Sequence, residues 1–218
     1  MQTFPTTETK FQLPTPSGEL EVQASPTQDN NQSTIAIICH PHPLHGGTMN
    51  NKVVSTLART FRDLNIPSVR FNFRGVGKST GVFADGVGEK SDLLSIIQWV
   101  KKTSPNATLW LAGFSFGGFI AAQVATEVSV AQLVTVAPQV SRFTAIDFPP
   151  ITVPWILIQG EQDEIVSSEA VFKWIETLNP KPTLIRIPDT GHFFHGKLLE
   201  LRSLLEAALK KSQTKLEK

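Results

Sequence analysis

Six short runs of apolar and β-branched residues punctuate the chain: TIAIICH (34–40), IPSVRFNF (66–73), TLWLAG (108–113), QLVTVA (132–137), WILIQG (155–160) and TLIRIP (183–188). Each is shorter than an average helix and nearly continuous in its apolar character, the pattern of a strand buried on both faces. Between them, apolar residues recur at helical spacing over about 50–64, 89–102, 116–129, 168–178 and 196–211. Alternation of strand and helix predicts right-handed crossovers and a mostly parallel sheet with helices on both faces. Upstream, KFQLPTPSGELEVQAS (10–25) reads as two strands around a turn of proline and glycine, so an antiparallel hairpin is expected to open the sheet. This brings the sheet to about eight strands.

At 218 residues the chain suits one domain over 1–218, with 1–7 and 212–218 expected to fray. Lys and Arg total 20 against 19 Asp and Glu, a net charge of +1 that provides no general field for nucleic acid or an anionic membrane. A single cysteine, Cys39, cannot form an internal disulfide, and MQTFPTTETK at the start lacks the apolar core of a secretory signal. A reducing, cytoplasmic location is therefore expected. No run approaches the roughly 18 apolar residues of a membrane-spanning helix.

RGVGKST (74–80) ends like a phosphate-cradling nucleotide loop. That loop requires a glycine five positions before Gly77, where the backbone must curl toward the phosphates; this chain has Asn72 there, inside the apparent strand RFNF. The loop is expected to border a site at the carboxyl end of a strand without supplying its chemistry.

The chemistry points to GFSFG, residues 113–117. A serine flanked by glycines two residues either side, after a strand and before an apolar, alanine-rich helix, fits a nucleophile elbow: the glycines let strand and helix approach, and the hydroxyl is held out over the sheet. Ser115 at a helix start is also an ordinary N-cap; the strand before it favours the elbow. A serine nucleophile needs a base and a group to orient that base. His40, His42 and His45 precede the elbow, whereas its usual chain order puts acid and then histidine after it. This leaves His192 and His195, of which His192, behind Gly191 in a loop, is the first choice. For the acid, GEQDEIV offers Glu161, Asp163 and Glu164 after a strand; Asp163 is preferred, with Asp147 and Asp189 as rivals. The tetrahedral oxyanion needs two N–H donors. Phe116 supplies one; Pro41 and Pro43 have none to give, so the second is expected from His42, with Leu44 next.

HPHPLHGGTMNNKVV, VRFNFRGVGKSTG, GFSFGG, GEQDEIV and GHFFHGKL together resemble the α/β-hydrolase superfamily, specifically the small bacterial members without a cap domain that are described as esterases. The resemblance runs from the hairpin to the last helix. It implies the α/β-hydrolase fold, Ser115, Asp163 and His192 as nucleophile, acid and base, a small-molecule ester as substrate, and no cofactor. Dienelactone hydrolases are similar but carry a cysteine nucleophile, and serine at this elbow speaks against their substrate. Only about fifteen residues, 138–152, lie where lids usually enter, so no cap is expected, and Phe116, Phe143, Phe193 and Phe194 are candidate walls of an open mouth. A homodimer is left open. Two rival readings stand: a metal-dependent hydrolase using His40, His42 and His45, whose spacing matches HxHxDH except that Leu44 replaces the aspartate, and a binding protein that keeps the fold without turnover.

Overall fold

The computed structural model describes residues 3–146 and 148–216. Eight strands form one sheet: β1 (Thr9–Thr15), β2 (Gly18–Ser25), β3 (Thr34–Cys39), β4 (Ser68–Phe71), β5 (Thr108–Phe114), β6 (Gln132–Val136), β7 (Trp155–Gly160) and β8 (Thr183–Ile187). Their spatial order is β1-β2-β4-β3-β5-β6-β7-β8. The hairpin β1–β2 and the β2–β4 pair are antiparallel, and every other pairing is parallel. Helices α1 (Lys52–Asp63), α2 (Val87–Thr103), α3 (Phe116–Ala125), α4 (Val140–Thr144), α5 (Ser168–Glu176) and α6 (Leu198–Leu216) fill the connections. This is the α/β-hydrolase fold that the sequence implies, without a cap: among the described residues the β6–β7 connection holds only the short α4.

The strand pleat explains why the central runs are apolar throughout. Along β5, Leu109 and Leu111 enter the core under α2, α3 and α5, while Trp110, Ala112 and Phe114 enter the core under α1 and α6. In β3, Ile35, Ile37 and Cys39 take the first side and Ala36 and Ile38 the second. Alternate residues bury against opposite helical layers, so neither parity can be polar. At roughly 1.5–3 kcal/mol for each large buried side chain, these two cores are what hold the layers together.

Three expectations need correction. Strand β4 stops at Phe71, short of the predicted residue 73: the Asn72 N–H still donates to the Glu21 carbonyl at 2.9 Å, but the Phe73 N–H leaves the ladder for His40 Nε2 at 3.0 Å, and the Asn72 side chain turns to Glu21 Oε2 and the Met49 N–H. The N-terminal tail is not all frayed, since Phe4 is buried with its ring 5.7 Å from that of Trp99. At the other end α6 continues to Leu216, beyond the predicted residue 211.

The Gly-Lys-Ser loop folds back on the hairpin. The Lys78 N–H donates to the Glu21 carboxylate at 2.9 Å, and the Ser79 hydroxyl accepts the Glu21 N–H at 2.9 Å and donates to the Asn72 carbonyl at 2.7 Å. A carboxylate thus takes the N–H that a nucleotide loop would offer to phosphate.

Candidate active site

Ser115 sits between β5 and α3 with φ 54° and ψ −119°, a conformation that L-residues adopt only under constraint. The constraint is visible: its N–H donates to the Val136 carbonyl at 2.8 Å, and its carbonyl accepts the N–H groups of Gly118 and Phe119 at 3.0 and 3.2 Å. The hydroxyl makes no capping bond to α3, which removes the ordinary N-cap reading. The flanking glycines are required sterically. A Cβ on Gly113 would lie 2.2 Å from the Gly117 carbonyl oxygen, and one on Gly117 would lie 2.3 Å from that of His40.

His192 follows β8, in a loop whose Asp189 takes the left-handed conformation. Its Nδ1 lies 2.9 Å from Asp163 Oδ2, and both side chains are buried. Because the carboxylate only accepts, Nδ1 carries the proton of this bond and Nε2 is left free of it. Asp163 Oδ1 accepts the N–H groups of Ile165 at 2.9 Å and Val166 at 2.7 Å, so the loop after β7 folds around its own aspartate. Burial pushes the Asp163 carboxyl up, but the His192 hydrogen bond, the Val166 N–H, the imidazole charge and the Ile165 N–H together hold it below its ordinary value. The rival acids fall elsewhere. Glu161 pairs with Arg186, Asp189 accepts from Gln162 Nε2 at 2.9 Å, and Asp147 lies outside the described residues. Glu164 has a role the sequence did not reveal: its Oε2 accepts the His192 backbone N–H at 3.0 Å. His195 is exposed, beyond the Phe193 ring.

Ser115 and His192 line one cavity of about 440 Å³, together with Pro41, His42, Gln139, Val140, Ile165 and Phe193. Of the four phenylalanines expected as walls, only Phe193 lines it. Phe116, Phe143 and Phe194 are core residues; Phe143, for example, packs on Phe119 and Trp174.

His42 borders the cavity with its ring 5.1 Å from that of Phe116. Its backbone N–H has no partner among the described residues, and the Phe116 N–H, in the first turn of α3, has none within the helix. Leu44 differs: its N–H is spent on His42 Nδ1 at 3.3 Å, and its side chain is 70% exposed. His40 is buried under this loop. Its Nδ1 lies 2.6 Å from the Pro41 carbonyl and its Nε2 accepts the Phe73 N–H at 3.0 Å. Both ring nitrogens are therefore engaged, and the HPHPLH histidines cannot converge on a metal; no metal-binding cluster occurs among the described residues. Cys39 is no substitute nucleophile, since burial pushes its thiol up.

A lidless three-layer sheet with a strained serine and a carboxylate-bound histidine at the carboxyl ends of its strands defines a hydrolase class, and the sequence comparisons agree. The family profile described as "Alpha/beta hydrolase domain" matches residues 36–213. The chain belongs to that family and is a hydrolase. It is similar, at 44% identity and TM-score 0.91, to an alpha-beta serine hydrolase homologue from Coxiella burnetii, over 95% of this chain and 100% of that one. XC6422 from Xanthomonas campestris, a serine hydrolase without a lid, shares 43% identity at TM-score 0.91 over 97% of each chain. RP471 of Rickettsia prowazekii is 35% identical over 195 residues, 85% of this chain and 82% of that protein.

Proposed function

We propose that this hydrolase is a carboxylesterase acting on small or short-chain acyl esters through a Ser115–His192–Asp163 triad. His192 Nε2 removes the proton from the Ser115 hydroxyl as its oxygen attacks the ester carbonyl. Asp163 holds the ring through Nδ1 and stabilises the imidazolium that forms. The N–H groups of Phe116 and His42 receive the oxyanion. Collapse of the tetrahedral intermediate passes the proton from His192 to the departing alcohol and leaves an acyl group on Ser115. Water, deprotonated by the same imidazole, then clears it as the free acid, and the cycle needs no cofactor.

The observation that carries this reading is that one cavity contains both the strained Ser115 and the edge of a histidine whose other nitrogen is bound to a buried carboxylate. Its test is a series of p-nitrophenyl esters of rising chain length assayed beside Ser115→Ala. Turnover that is highest for short chains and lost in the variant is expected; undiminished turnover in Ser115→Ala overturns the reading.

A further inference from the structure

Gln159 lies near the end of β7, fully buried. Its Nε2 donates to Asp163 Oδ2 at 2.9 Å, the same oxygen that lies 2.9 Å from His192 Nδ1. A longer bond of 3.3 Å runs from Nε2 to the Gly160 carbonyl. Both partners are oxygens, so the reversed amide would set oxygen against oxygen; the partners fix its orientation. The other end of the amide, Oε1, is buried without a hydrogen-bond partner. An unpartnered acceptor inside a protein is destabilising, and a methionine or leucine at this position would avoid it. What the amide contributes is therefore the bond from its nitrogen.

That bond completes the surroundings of Asp163. Oδ1 receives two backbone N–H groups, from Ile165 and Val166, and Oδ2 receives His192 and Gln159. A carboxylate has about four lone-pair sites, and here each faces a donor. We propose that Gln159 is a positioning residue for the acid: its amide N–H occupies one lone pair of Oδ2 and so holds the other on His192. This rests on the triad reading above. As His192 gains its proton, a carboxylate fixed by four donors needs no rearrangement to meet the new charge.

The test compares Gln159→Met, of similar length but without a donor, with Gln159→Glu. The methionine variant is expected to lose about 10- to 100-fold in kcat, the scale known for loss of an outer partner at metal sites, with KM unchanged. In the glutamate variant two carboxyls share one buried space and cannot both ionise. The new carboxyl stays protonated near neutral pH, its O–H donates to Asp163, and most of the rate returns; as pH rises it ionises, and an alkaline limb absent from the wild type cuts the rate. Among the described residues, the ionisable groups facing Asp163 are the His192 ring and, across the His192 backbone, Glu164; both are the same in all three proteins, so the limb belongs to position 159. The low-field NMR resonance of the His192 ring N–H gives a readout independent of turnover, expected to broaden in the methionine variant and to recover in the glutamate variant. A methionine variant with wild-type kcat and an unchanged resonance, or a glutamate variant no better than methionine, overturns the proposal. Wild-type protein lacking Ser115-dependent turnover defeats the triad reading instead, and the resonance still decides the role of Gln159.

Discussion

The imidazole of His40 accepts the backbone N–H of Phe73 at 3.0 Å, joining the loop after β3 to the loop after β4 beneath the cavity. The acceptor must be neutral, and burial lowers the His40 pKa from 6.5 to about 4 despite the opposing effect of the Pro41 carbonyl. Below pH 6.5 the unfolded chain takes up a proton that the folded chain refuses, so stability falls with pH until the folded value is reached. The melting temperature is expected to decline between pH 6.5 and 4, and His40→Gln to be less stable at pH 7 with a flatter decline across that window. Thermal denaturation of the two proteins across this range measures it.

His42 has φ −53°, close to the angle that a proline ring imposes, and its N–H serves no other group among the described residues. His42→Pro therefore deletes the proposed oxyanion donor while fitting the backbone, and His42→Ala keeps the donor but removes the ring. A loss of about 10²- to 10³-fold in kcat is expected for the proline variant, and a much smaller one for alanine. Equal losses in the two would assign the effect to the imidazole.

Gly117 faces two carbonyl oxygens, and a methyl group there would stand 2.3 Å from His40 O and 2.5 Å from Cys39 O. Both belong to backbone at the end of β3, which cannot rotate aside. Gly117→Ala is expected to destabilise by about 3 kcal/mol, the upper part of the overpacking range, which lowers Tm by roughly 6–12 °C for a chain of this size. Gly46→Ala is the steric control for added bulk, because a methyl group there would meet nothing within 4 Å, although the φ of 74° adds strain of its own.

The central strands were legible because burial on both faces makes them apolar at nearly every position, and WILIQG coincides with β7 from end to end. The elbow was legible because a tight strand-to-helix turn requires glycines at fixed distances. Short elements were not: α4 has five residues, too few for a helical period to emerge. Phe4 was missed because a lone aromatic before a polar stretch carries no periodicity. Glu164 and Gln159 were missed for a different reason. Their roles depend on which way a side chain turns after the strand ends, and neither a second carboxylate beside Asp163 nor an amide inside an apolar run declares its partner in one dimension. HPHPLH shows the converse, a one-dimensional spacing that suggested a shared ligand while the fold gave His40 to the backbone.

The brevity of the β6–β7 connection has a kinetic meaning. With no cap among the described residues to lift, hydrolysis here needs no cap-opening step, and water and substrate reach Ser115 through the same cavity. Discrimination between substrates then falls to the cavity walls, Ile165 and Phe193 among them, with no overhanging domain among the described residues to add a steric limit.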